Sequence, residues 1–356
     1  MKTKLLAAAI AAGLVAPVAS NAAPTLYGQL QAEISSEDRD NNNTTADGRV
    51  VAGGSNVNSS GSIVEDVGVN DNKRGRLGVK GSEDLGGGLK AIYKFEFQVE
   101  TTTGDVDDGN REAYVGLKGS FGTVRLGNVK SPYKYYGGVK YDPLVATEIE
   151  ARRYGGMSTG DFGQNGFLDR NLNYENKFGM VSFWGSVGLS EQNGEDGDLV
   201  LGIKFGNKKW EAGFAYAHDE DINNDTSTGH VDQSYDAMKI FGKVKVGSMV
   251  TLKGQFEDLT EEQTSGADQE GDILFLGADF KFGKSLLVVQ LGQGTWEVSG
   301  SPDQESDYFA VGFIHKFSKK TRAFVGFGNT DIDNMNNSSG TNNSRDALTA
   351  GMRIDF

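Results

Sequence analysis

Segments of about ten residues in which apolar and polar side chains alternate recur along most of the chain. In the stretch Leu89–Val99, Leu89, Ala91, Tyr93, Phe95, Phe97 and Val99 fall on one face and Lys90, Lys94, Glu96 and Gln98 on the other. A period of two is that of a β-strand with one oily and one wet side, and ten residues is about the length a tilted strand needs to cross a bilayer. The same pattern covers residues 25–35, 74–81, 111–119, 123–128, 170–176, 180–189, 199–205 and 210–218. It returns at 235–246, 250–259, 272–282, 286–295, 308–317, 322–329 and 346–356, which makes sixteen segments in all.

The connections alternate in length. Short ones at 82–88, 119–122, 176–179, 206–209, 247–248, 283–284 and 318–319 are interleaved with long polar ones at 36–73, 101–110, 190–198, 219–234, 260–271, 296–307 and 330–345. Short turns on one side and long loops on the other are the asymmetry of a membrane barrel, and an even strand count returns both termini to the short-turn side. The expectation is an all-β protein, a sixteen-stranded antiparallel transmembrane β-barrel. A secreted β-sandwich, lectin or adhesin also alternates, but it has no reason to sort its connections by length.

Composition fits export. Lys2 and Lys4 precede an apolar run over 5–16, and Ser20-Asn21-Ala22 supplies small residues for cleavage, so 1–22 reads as a signal peptide and 23–356 as one barrel domain of 356 − 22 = 334 residues. The run is shorter than the roughly 20 residues of a spanning helix, and no later segment is long or apolar enough to be one. Fifty glycines against five prolines suit a turn-rich β architecture. Without the leader's two lysines the formal charge goes from −14 to −16, which argues against nucleic acid as a partner. With no cysteine, stability must come from a closed hydrogen-bonded sheet or a large core rather than from disulfides.

The last segment sets Leu348, Ala350, Met352, Ile354 and Phe356 on one face and closes the chain on the aromatic ring. It resembles the C-terminal signature of outer-membrane β-barrels. Leu26-Tyr27-Gly28, the run from Arg76-Leu77-Gly78-Val79 through Ser82-Glu83-Asp84-Leu85-Gly86, the run from Gly116-Leu117-Lys118-Gly119 through Arg125-Leu126-Gly127, and Arg170-Asn171-Leu172-Asn173-Tyr174 extend the likeness. The chain resembles a Gram-negative general diffusion porin of the trimeric, sixteen-stranded class. That resemblance implies a homotrimer in the outer membrane of a Gram-negative bacterium, with passive diffusion of small hydrophilic solutes and ions and no cofactor.

Residues 128–168 form a stretch of some forty residues without sustained alternation. Loops this long in compact proteins are functional or disordered, and five tyrosines (133, 135, 136, 141 and 154) are too many for disorder. Ser131-Pro132-Tyr133-Lys134 and Tyr141-Asp142-Pro143-Leu144 resemble the third external loop of porins, which folds into the barrel as its constriction. Wall charges follow from alternation: Arg74, Arg76 and Lys80 alternate with Leu77 and Val79, Lys90 and Lys94 with Tyr93 and Phe95, and Lys118 and Arg125 with Leu117 and Leu126. Each would cost about 2–4 kcal/mol facing lipid near the midplane, so they face a wet lumen. In the resembled family, acidic loop residues oppose a basic wall, which assigns Asp142, Glu148 and Glu150 to the loop side and Arg74, Arg76, Lys94 and Arg125 to the wall. The loop's own Lys130, Lys134, Lys140, Arg152 and Arg153 depart from a purely acidic pattern.

A weak cation preference is expected, because acids at 37–40, 105–108, 191–198, 219–225 and 257–262 concentrate cations at the external mouth. The same loops are expected to attract divalent cations and bridge to lipopolysaccharide. Two alternatives share parts of this reading. A substrate-specific channel would add stacked aromatics or an arginine track along the lumen, and an adhesin would have a plugged one. Catalysis is not expected: His218, His230 and His315 are the three histidines, and no nucleophile elbow, zinc helix or phosphate loop accompanies them. Asp105, Asp107 and Asp108 before Gly109 lack the spacing of a calcium loop, so no metal site is expected.

Overall fold

The computed structural model describes residues 23–41, 66–107, 111–153, 155–158, 167–189, 198–220, 233–263, 268–334, 338–340 and 342–356. The expected signal peptide, Asp108, Gly109, Tyr154, His230 and most of the acidic stretches at 191–198 and 219–225 lie outside the described residues. The strands are β1 (Thr25–Asn41), β2 (Asp66–Asn70), β3 (Arg76–Gly86), β4 (Leu89–Val99), β5 (Val106–Asp107), β6 (Ala113–Gly119), β7 (Gly122–Lys130), β8 (Phe167–Phe178) and β9 (Val181–Gly188). They continue as β10 (Leu199–Gly206), β11 (Trp210–Glu220), β12 (Gln233–Val246), β13 (Val250–Gln263), β14 (Gln269–Phe282), β15 (Ser285–Val298), β16 (Gln304–Lys316), β17 (Thr321–Asp333) and β18 (Asn343–Asp355).

All pairings are antiparallel, and the sheet closes where β1 pairs with β18. Both β2 and β3 pair with β1, at Glu33–Glu37 and Thr25–Gln29, while β5 and β6 both pair with β4. Each of these couples shares one neighbouring strand and counts as one stave, so 18 − 2 = 16 staves form the barrel. A closed sheet leaves no edge, so every spanning ladder finds its hydrogen bonds inside the protein, as a bilayer requires.

All sixteen expected segments lie on these staves, and β4 has the expected bounds. The main departure is at the long-loop end, where β1 runs on to Asn41, β13 to Gln263 and β17 to Asp333, and β16 starts at Gln304. Beyond the apolar band both faces of a hairpin meet water. The ladder continues there while the oily half of the alternation stops. The connection expected at 82–88 is also tighter, because β3 continues to Gly86 before a turn at Gly87 and Gly88, which have φ of 59° and 82°.

The outer face is exposed and apolar, with Leu30, Ile34, Ile240, Leu276, Leu348 and Met352 among its side chains. Phe178, Phe205, Trp210, Phe282, Phe317 and Phe356 are exposed at the short-turn end, where an aromatic girdle meets the membrane interface. Phe356 closes the seam: its N–H donates to the Gly28 carbonyl at 3.0 Å, and Gly28 N–H donates to its carbonyl at 3.1 Å. Its ring lies so close that a Cβ on Gly28 would sit 2.2 Å from it. The buried core is inside the barrel, where residues of the 131–158 segment pack against the inner faces of β10–β18.

Candidate functional site

The segment after β7 turns inward at once. Ser131 caps a one-turn helix, α1 (Pro132–Tyr135), which has proline in its first turn, and short 3-10 turns follow at Gly138–Lys140 and Ala151–Arg153. Tyr133, Tyr141, Leu144, Ile149 and Met157 are each at most 1% exposed. Burial of such side chains is worth about 1.5–3 kcal/mol apiece, enough to hold a loop off its solvated alternative. The wall makes room for them with glycines. A Cβ at Gly312 would lie 2.4 Å from a Leu144 methyl, and one at Gly326 would lie 2.5 Å from the Ile149 terminal methyl.

Loop backbone inside the barrel must find partners, and the wall supplies them. Gly138 N–H donates to Gln255 Oε1 at 2.6 Å, and Gln31 Nε2 donates to the Ala146 carbonyl. Tyr133 Oη donates to Glu257 at 2.8 Å, Ser158 N–H donates to the same carboxylate at 3.1 Å, and Tyr308 Oη donates to the Ile149 carbonyl at 3.0 Å.

The three loop acids take part in this stitching. Asp142 accepts from Leu144 N–H at 2.7 Å, Ala151 N–H at 3.0 Å and Gln290 Nε2 at 2.8 Å. Glu148 accepts from Asn70 Nδ2 at 2.9 Å and pairs with Arg345 at 2.7 Å, while Glu150 accepts from Ala146 N–H and pairs with Arg152 at 3.0 Å. All three are buried. Burial pushes the Asp142 carboxyl above its ordinary range despite these donors. Their contacts are those of loop anchors; the cavity described below is lined by other acids.

The basic wall residues lie on the lumen side. Arg74 occupies the bend between β2 and β3, Arg76 donates to Gln29 Oε1 at 2.7 Å, and Lys94 reaches Glu96 at 3.1 Å and also Glu112. Arg125 pairs with Glu175 at 2.7 Å and donates to Asn173 at 2.8 Å. Between loop and wall is a cavity of about 500 Å³. Its lining holds five cations, Arg125, Lys130, Lys140, Lys204 and Lys243, against three carboxylates, Glu112, Glu175 and Glu211, a balance of 5 − 3 = +2.

Each carboxylate is already in use. Lys130 holds Glu112 at 2.9 Å, Arg125 holds Glu175, and Lys243 and Lys204 hold Glu211 at 2.9 and 3.4 Å. Arg74, Arg76, Lys134 and Lys140 form no salt bridge among the described residues. Burial lowers the pKa of Lys134, and partial enclosure in the throat, which leaves much of its side chain exposed, lowers that of Lys140; Arg152 beside the first and Lys130 beside the second lower them further. Lys204, Glu211 and Lys243 were missed in the sequence, yet the signal was there. Lys204 lies between Ile203 and Phe205, and Glu211 between Trp210 and Ala212, the same alternation that turned Lys94 inward.

A closed sixteen-stave barrel with an oily exterior, a charged lumen and a loop stitched across it defines a water-filled channel of the outer-membrane type. The sequence pattern of the Gram-negative porins matches residues 7–335, and the chain belongs to that family. It is 30% identical over 348 residues to a major outer membrane protein P.IB of Neisseria meningitidis serogroup B, covering 92% of this chain and 93% of that one. Identity with the protein of that name from Neisseria gonorrhoeae is 28% over 354 residues, with the same coverage. Among solved structures, an anion-selective porin from Comamonas acidovorans superposes with a TM-score of 0.73 at 20% identity, over 94% of this chain and all of that one. The trimer form of OmpT from Vibrio cholerae gives 0.67 at 15% identity, over 95% of this chain and all of that one. The chain is an outer-membrane porin for passive diffusion of small hydrophilic solutes and ions.

Proposed function

We propose that the throat of this porin is the space between the inward loop and the β6–β12 wall, and that it favours anions over cations. The observation that carries this reading is the charge balance: three lining carboxylates are all paired, and the cations outnumber them. The expectation of a weak cation preference rested on acids of the external loops concentrating cations at the mouth; the anion-favouring reading rests instead on the lining of the throat, where cations outnumber carboxylates.

Magnitude sets the strength. Two unit charges about 6 Å apart in water interact by roughly 0.7 kcal/mol, so a small excess of cations biases passage by about tenfold at most. That is a filter acting on freely diffusing ions. By likeness to the trimer form of OmpT we assign a homotrimer, set in outer-membrane lipid and lipopolysaccharide. No catalytic role and no cofactor are part of this reading.

Ion replacement in planar bilayers tests it. Exchanging chloride for gluconate at constant potassium should lower conductance more than exchanging potassium for a bulky organic cation at constant chloride. The reverse order would contradict an anion-favouring throat.

A further inference from the structure

A plain ion filter needs charges and water, but this throat also carries aromatic surface. Tyr135 and Trp184, both partly exposed, line the cavity with their ring centroids 6.2 Å apart, and Tyr136 meets Trp184 edge-on at 5.8 Å. Ammonium groups stand over these rings. Lys130 and Lys140 lie 5.1 and 5.0 Å from the Tyr135 centroid, and Lys204 lies 4.9 Å from that of Tyr136. The indole nitrogen of Trp184 is buried with no hydrogen-bond partner among the described residues. An orphaned donor of this kind is costly unless a water or a ligand oxygen meets it.

We infer that the throat contains a binding subsite for small organic anions with a planar apolar body, of the aromatic carboxylate class, formed by Tyr135, Tyr136 and Trp184 with Lys130, Lys140 and Lys204. This rests on the anion-favouring reading and goes further, because it separates anions by the body attached to the charge. Chloride or acetate meets the ammonium groups alone. An aromatic carboxylate places its carboxylate among the same groups and its ring against the aromatic shelf, removing apolar surface from water on both sides. A neutral ring gains the shelf without the charge. Among small-molecule sites, a concave apolar lining with a few convergent polar groups is the usual form, and the cavity has both.

The chain already holds what sets the expected rank order. Lys140 is exposed, belongs to the loop and forms no salt bridge among the described residues, so it is available to an entering carboxylate. Lys130 and Lys204 are shared with Glu112 and Glu211, and contribute less.

Assembled, full-length porin in planar bilayers provides the test, with chloride current recorded while benzoate, acetate or benzyl alcohol is titrated in. Benzoate should reduce the current saturably, with a half-effect concentration about tenfold below that of acetate, and benzyl alcohol should have no comparable effect. In Tyr135→Leu and Trp184→Leu channels benzoate should act like acetate, and Lys140→Gln should raise the benzoate half-effect concentration about threefold. Only inserted channels are read, and the exposed Lys140→Gln position serves if a ring variant fails to assemble. Equal action of benzoate and acetate in the native channel overturns the subsite, as does benzoate block that survives both ring substitutions. The reversal potential in KCl alone keeps the two readings apart. Anion preference without ring dependence removes the subsite only, whereas ring-dependent block in a cation-preferring channel removes the preference and leaves the subsite.

Discussion

The inner walls of β10–β18 and of β3–β8 obey the same alternation but are built for opposite purposes. On β10–β18 the inward row includes Val200, Ala215, Ala237, Phe275, Val288 and Ala310, buried beneath the loop, with Gln255, Glu257 and Gln290 bonded to it, and Lys204, Glu211 and Lys243 at its near edge reach the throat. On β3–β8 it holds Arg76, Lys80, Lys94, Arg125 and Glu175, which keep contact with water, and the buried Glu96 paired with Lys94. In a membrane barrel, "polar inside" therefore describes only the part of the wall that solvent reaches. Where a loop lies on the wall, the lumen side becomes a protein core, and glycines and apolar residues are selected for fit.

The comparison can be broken from either side. The largest effect should come from removing the cover. Deleting residues 135–150 exposes the apolar wall and opens the throat, so conductance and the uptake of neutral sugars by proteoliposomes should both rise substantially. Sugar uptake equal to that of the native channel would locate the constriction elsewhere. A subtler form is Gly328→Val, since a Cβ there would lie 2.9 Å from the Ile149 Cβ. Overpacking of this kind costs about 1–3 kcal/mol, and it should speed proteolysis of the loop while the barrel stays heat-resistant.

Charge substitutions sharpen the contrast. Arg125→Gln, which removes a throat cation whose partners are all on the wall, should shift the KCl reversal potential toward zero and leave loop proteolysis unchanged. Glu148→Gln should do the opposite, because it weakens the Arg345 and Asn70 anchors while leaving the throat's charge balance alone. The smallest effect is with pH. The lowered pKa values of Lys134 and Lys140 mean that they lose charge below the ordinary lysine value of about 10.4. Anion preference should therefore decline as pH rises from neutrality toward that value, and a flat profile would argue that neither lysine reaches the ion path.

How much of this was legible in the sequence follows from the same contrast. Leu89–Val99 was readable to the residue because lipid lies on one side of it and water on the other. The dense patch 286–291 on β15 obscures its alternation, since Val288 is buried under the loop while Leu291 is exposed on the outer surface. Arg76, Lys94 and Arg125 could be turned inward by the cost of facing lipid, and the rule extends unchanged to Lys204, Glu211 and Lys243. The acids of the loop could not be placed this way. Asp142 meets Gln290 across 148 residues and Glu148 meets Arg345 across 197, and no local pattern encodes such partners. Resemblance set the loop acids against a basic wall, whereas their buried contacts anchor the loop.

The most direct test of the account is the reversal potential of the native, purified channel in a KCl gradient at low ionic strength. The account predicts the sign that favours chloride, shrinking as salt approaches 1 M, where the screening length falls to about 3 Å. A sign that favours potassium would mean that carboxylates dominate the throat, contradicting the assignment of Asp142, Glu148 and Glu150 as anchors.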